Sequence, residues 1–166
     1  INDGVTLITG KNGSGKTSLV EAIYITLRGK SFKDSDDAIV KRGEQWYKID
    51  IATSEGKRTT LYDARTERKK KTHTVAGKQH LRMPERVKYP VVLFEPDDMQ
   101  MITGSPTRRR RYMDTIISQY NPHYSSALRR YERALVQRNK LLKQARHTPD
   151  ELFAWNITLR CVASLF

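Results

Sequence analysis

The sequence predicts an α/β unit followed by the beginning of an all-helical one. Three observations carry that expectation. A β-branched run, Val5 to Thr9, leads straight into a glycine-rich loop and then into a stretch with helical apolar spacing. Alternating segments separated by turn signals come next and read as a small antiparallel sheet. From Ser105 onward the apolar residues recur at helical spacing, and prolines stand at the helix starts. The boundary is placed near Gly104, giving an N-terminal part over 1–104 and a helical part over 105–166.

Taken in order, Val5–Thr9 reads as a buried strand. The loop from Gly10 follows it. A helix is expected from about Thr17 to Arg28, with Leu19, Val20, Ile23 and Leu27 on one face and Gly29 ending it. Gly29 to Asp37 reads as an exposed loop. In Tyr47–Ala52, Tyr47, Ile49 and Ile51 alternate with Lys48, Asp50 and Ala52, which predicts a half-buried strand. Gly56 turns the chain, Thr59–Tyr62 reads as its partner, and Thr72–Val75 as a third strand. Val91–Phe94, between Pro90 and Pro96, reads as a second buried strand. Ser105-Pro106 opens a helix to about Gln119, and Asn121-Pro122 opens one to about Arg146. Tyr124, Leu128, Tyr131, Leu135 and Leu142 mark the apolar stripe of the second. Thr148-Pro149-Asp150-Glu151 is a capping box that starts a third.

The 166 residues suffice for one domain, or one domain and part of another. Lysine and arginine number 31 against 18 acidic residues, a net charge of +13 that favours a polyanionic partner. The single Cys161 excludes a disulfide framework and any cysteine-based zinc site. No apolar run approaches the roughly 18 residues of a membrane span, and no secretory signal opens the chain. The expected compartment is cytoplasmic, with no membrane partner. The chain starts at Ile1 and ends at Phe166 inside an apolar pattern, so both ends read as cut and a longer protein is expected.

Gly10-Lys11-Asn12-Gly13-Ser14-Gly15-Lys16-Thr17 matches the pattern G-x-x-x-x-G-K-[ST]. Glycines let backbone N–H groups curl around phosphates where side chains would collide. The following helix adds the positive end of its dipole. Lys16 is placed for the β- and γ-phosphates and the Thr17 hydroxyl for Mg²⁺. The cofactors expected are therefore ATP and Mg²⁺.

The charge is uneven. Residues 57–88 hold 11 basic and 3 acidic side chains, and residues 108–147 hold 11 and 2. Arg68-Lys69-Lys70-Lys71 lies between strand candidates, and Arg108-Arg109-Arg110-Arg111 in the first turns of a helix, where it opposes the dipole. Either run is a nucleic-acid contact or a solvated basic face. Glu95-Pro96-Asp97-Asp98 either reaches a Mg²⁺-bound water or caps a turn. The four histidines (His73, His80, His123 and His147) show no ligand spacing and read as surface or packing residues. No apolar run ends in an acidic pair, and no L-S-G-G-like segment is present. The chain is therefore expected to hold a nucleotide without hydrolysing it efficiently by itself.

Together these residues resemble the bacterial RecF family, whose members have an ABC/SMC-like ATPase head. The likeness is carried by Gly10–Tyr24, Gly29-Lys30-Ser31-Phe32-Lys33, Phe94–Asp98, Gly104-Ser105-Pro106, Arg109–Asp114, Tyr131 and Gln137–Leu142. Lys30 and Lys33 stand where the family usually has arginines, which loses the bidentate fork. The resemblance implies a P-loop NTPase lobe with a small antiparallel sheet and the start of a helical lobe. It implies an ATP-dependent homodimer that binds duplex DNA near single-strand gaps with a RecR-type partner and helps load a recombinase. It implies a weak DNA-dependent ATPase in the intact protein. It also makes Lys30, Ser31, Phe32, Lys33 and Arg68–Lys71 candidate DNA or partner contacts. Other readings stay open: another SMC/Rad50-like or RecN-like head, a P-loop small-molecule kinase, or a nucleic-acid module with an idle nucleotide site.

Overall fold

The computed structural model describes residues 4–65, 70–99, 104–143 and 149–164. The chain divides into two compact units, residues 1–91 and 92–166.

The first unit begins with the glycine loop and helix α1, Lys16–Arg28. Gly29, at φ 82°, ends the helix by donating its N–H to the Ile25 carbonyl, 2.7 Å away. A short helix α2, Asp36–Ile39, follows and takes in the last two residues of the segment Gly29–Asp37 expected to be a loop. Ser35 before two aspartates is the start signal for it. Then come β1 (Trp46–Thr53), β2 (Gly56–Asp63), β3 (Lys70–Val75) and β4 (Lys78–His80), one antiparallel sheet in chain order.

The register places Tyr47 opposite Tyr62, Ile49 opposite Thr60 and Ile51 opposite Arg58. Across the next ladder Thr60 faces His73, and Arg58 faces Val75. Because side chains alternate along a strand, these residues share one face. Helix α1 packs on β1 and β2. Ile25, Thr26, Thr60, Tyr62, Val75, His73 and Arg58 are all buried, so this core is unusually polar and depends on internal hydrogen bonds.

Two expected strands do not form. Val5–Thr9 carries no strand pairing, and Val5 and Leu7 stand out in solvent. Val91–Phe94 is likewise unpaired, with Val92 and Phe94 more than half exposed. A strand exists only through hydrogen bonds to a neighbour, and neither run finds one among the described residues.

The second unit contains α3 (Pro106–Tyr120), α4 (Pro122–Leu142) and α5 (Pro149–Ala163). α4 packs against both neighbours. Asn121 caps α4, its side chain accepting from the N–H groups of His123 at 3.0 Å and Tyr124 at 3.1 Å. Ser105 stands at the N-cap of α3 but makes no side-chain capping bond. Ala127 and Ala134 are the buried residues of α4, and small side chains there permit close helix approach. Leu142, expected in the stripe, points outward, and Leu141 is half-buried instead. The Tyr124 hydroxyl donates to Asp114, which with burial pushes its pKa up to about 12.

Candidate nucleotide site

The loop from Gly10 to Thr17 is exposed, apart from a half-buried Lys16. Gly13 and Gly15 have φ of 80° and 86°, left-handed values that side chains disfavour. These turns bring the chain round into α1, whose first hydrogen bond runs from Leu19 N to the Gly15 carbonyl at 2.9 Å. No side chain caps this helix start. Its first-turn N–H groups therefore remain open to an anion, with the dipole behind them.

Lys16 folds back across the loop. Its Nζ donates to the carbonyls of Gly10 and Lys11, each at 2.8 Å. An ammonium has three donors, so one N–H remains for a phosphate oxygen at the loop mouth. Ser14 N closes the turn onto the Lys11 carbonyl at 3.2 Å. Thr17, on the exposed first turn of α1, presents the hydroxyl of the pattern's final position. Backbone donors, one cation and one hydroxyl are the chemistry that a triphosphate with Mg²⁺ requires, so the residues present fit that group.

The segment after α1 is tied down. Ser31 donates to the buried Glu21 carboxylate and accepts from the N–H groups of Lys33 at 2.9 Å and Asp34 at 3.0 Å. Phe32 packs edge-on against Tyr24, ring centroids 5.3 Å apart. Ser31 and Phe32 thus fix the backbone while Lys30 and Lys33 project into solvent. Lys70 is exposed. Lys71 is paired with Asp36 and its side chain is 15% exposed. Arg68 and Lys69 lie outside the described residues.

A clasp that the sequence reading missed joins α2 to the sheet. Asp36 accepts from the Tyr47 hydroxyl at 2.6 Å and pairs with Lys71, while Asp37 accepts from the Tyr62 hydroxyl at 2.6 Å. The two tyrosines stack at 5.4 Å. Burial, reinforced by the bond to Asp37, pushes Tyr62 up to about 12, and burial with Asp36 pushes Tyr47 higher still. Both therefore remain donors at any working pH. His73 bonds through Nδ1 to the Thr60 hydroxyl at 3.0 Å. Burial, then the Lys71 ammonium, hold it down at about 4, so it is neutral at pH 7.

In the second unit Asp98 is used locally. Its carboxylate accepts from Glu95 N at 2.8 Å, and its own N–H donates to the Glu95 carbonyl at 2.9 Å, capping the turn Pro96–Met99. Arg108–Arg111 are exposed along α3, with Arg109 reaching the Gly104 carbonyl at 3.1 Å. Among the described residues no cluster of metal-ligating side chains occurs, and no helix is long and apolar enough to cross a membrane.

Residues 1–151 match a family model described as an AAA domain. The chain is also similar to bacterial proteins called "DNA replication and repair protein RecF". It is 36% identical to that of Heliobacterium modesticaldum, over 96% of this chain and 45% of the relative. Identity to the protein of Pelotomaculum thermopropionicum is 35%, over 90% and 42%. For Chloroherpeton thalassium it is 36%, over 98% and 46%. The chain therefore spans less than half the length of these relatives. The likeness read from the motifs extends over nearly all of this chain.

Proposed function

This chain belongs to the AAA domain family, and on that premise we propose that it is the nucleotide-binding portion of a RecF-type DNA replication and repair ATPase. The observation that carries the reading is the phosphate loop: Lys16 bridging the Gly10 and Lys11 carbonyls at the foot of an uncapped α1. In this reading the first-turn N–H groups and the remaining Lys16 donor hold the phosphates of ATP. The Thr17 hydroxyl holds Mg²⁺, which neutralises charge between the phosphates when bound. The glycines keep the backbone close enough to donate.

The finer activity follows the same reading. ATP drives homodimerisation, and the dimer binds duplex DNA at single-strand/double-strand junctions with a RecR-type partner, helping to load a recombinase. Hydrolysis in the intact protein is weak and DNA-dependent. Support for a nucleic-acid partner comes from the +13 charge and from the exposure of Lys30, Lys33 and Lys70 in one compact unit. The similar proteins, named for DNA replication and repair, point the same way.

The test is Lys16→Ala. Its exposed hydrogen bonds contribute little to stability, so the variant should fold normally by circular dichroism. Loss of a charged donor to phosphate, worth about 1.5–3 kcal/mol, should weaken Mg·ATP binding by about 10- to 100-fold in calorimetry. Any ATP-dependent gain in DNA affinity should vanish. A variant that still gains DNA affinity with ATP would remove the loop from this role.

A further inference from the structure

The phosphate loop occupies one end of α1. The other end opens on a basin of about 280 Å³. The 13 residues of α1 separate the two, a length of about 20 Å at a rise of about 1.5 Å per residue. Arg28, Lys30, Lys71, Arg82 and Lys88 line this basin, against one carboxylate, Asp36.

We propose that this basin binds a phosphodiester group of a nucleic-acid backbone, at a site separate from the nucleotide loop. The inference rests on the nucleic-acid reading above and assigns it a place.

Charge is the first support. Lys71 is paired with Asp36, and Lys88 with Glu85 at 2.6 Å. Asp36 is already shared between Lys71 and the Tyr47 hydroxyl. Arg28, Lys30 and Arg82 remain as a positive surplus with no carboxylate left in the lining to balance them. The negative end of α1 accounts for Arg28, its last residue. It does not account for Arg82, which arrives from a segment more than fifty residues further on.

Construction is the second support. Tyr89 N donates to the Leu27 carbonyl at 3.2 Å, and Arg28 Nη1 returns a bond to the Tyr89 carbonyl at 3.1 Å. Met83 is buried against Gly29, so closely that a Cβ on Gly29 would stand 3.0 Å from the Met83 Cβ. The chain on either side of Pro84 is thus held against the end of α1, which brings Arg82 into the same lining as Lys30. Arg28 is held with its guanidinium fixed, so less ordering is needed when it meets an anion. His73, buried in the lining, is neutral and adds no charge to repel or attract. The open mouth suits a repeating backbone anion, and arginine suits phosphate through its fork.

The test is the double variant Lys30→Gln/Arg82→Gln. Both side chains are exposed and outside the contacts that build the basin. Lys41→Gln/Arg42→Gln, two exposed residues in the loop before β1, is the control of equal charge. Fluorescence anisotropy with a labelled random-sequence duplex is measured over a sodium chloride series, with and without Mg·ATP. One lost phosphate contact should lower the slope of log K against log salt by about 1 in the basin variant and leave the control at the wild-type slope. Mg·ATP affinity should match wild type. An unchanged slope, or an equal fall in the control, overturns the basin while leaving the nucleic-acid reading intact. Loss of ATP affinity with an unchanged DNA slope assigns the basin to nucleotide phosphates and also overturns it. A wild-type protein that binds no duplex under any of these conditions refutes the nucleic-acid reading and the basin together.

Discussion

His73 makes the stability of the sheet depend on pH in a direction fixed by its burial. The ring is 2% exposed, hydrogen-bonded to Thr60, and neutral down to about pH 4. In the unfolded chain it takes a proton near 6.5. The folded value lies below the unfolded one, so its contribution is complete above pH 6.5 and is lost as the pH falls toward 4. Between those values the unfolded state binds the proton and the folded state does not. Each pH step costs about 1.4 kcal/mol, which gives a ceiling of about 3 kcal/mol over the interval. That is a large share of the stability of an ordinary small domain. His73→Asn places an amide where Nδ1 stood, keeps a partner for Thr60, and does not titrate. Urea titrations at several pH values would be followed by Trp46, which starts β1, in a Trp155→Phe background. The parent should lose stability steeply between pH 6.5 and 4, and the His73→Asn variant by about 3 kcal/mol less. Parallel curves for the two proteins would refute the reasoning.

Other perturbations follow from the same contacts. Asp36→Ala strands the Tyr47 hydroxyl and the Lys71 ammonium, and should cost about 2–3 kcal/mol in urea unfolding; a change within error would mean that the clasp has no net worth. Asn121→Ala removes the cap of α4 and should cost about 1 kcal/mol, read as a lowered midpoint of the helical signal in circular dichroism. Thr17→Val should abolish the Mg²⁺ dependence of ATP binding while leaving circular dichroism unchanged, and a retained dependence would place the ion elsewhere.

What could be read in advance depended on the range of the interaction. Helix α1 and the three proline-led helices were legible in extent because start and stop residues are local signals. The buried face of α1 was not: Leu19 and Val20 are exposed, while Glu21, Ile25 and Thr26 are buried against the sheet side. The β1–β2 hairpin was legible because Tyr47, Ile49 and Ile51 alternate cleanly and Gly56 marks the turn. β4 escaped because Lys78-Gln79-His80 has no apolar alternation; Ala76-Gly77, both at positive φ, was the available turn signal. Val5–Thr9 and Val91–Phe94 failed for the opposite reason. Their composition suits burial, but pairing is a property of a distant segment, and Val5 is fully exposed. The glycine loop was legible as a motif because its residues are consecutive in sequence and its spacing is its geometry. The cationic basin was not, since Arg28, Lys71 and Arg82 lie on separate segments that the Tyr89–Leu27 and Arg28–Tyr89 bonds, the Gly29–Met83 contact and the Lys71–Asp36 pair bring to one place.

Duplex-DNA binding with and without Mg·ATP, across a salt series, tests the central claim most directly. Binding should be salt-sensitive, tighten when ATP is present, and no longer tighten in Lys16→Ala. ATP binding that leaves DNA affinity unchanged at every salt concentration would contradict the claim.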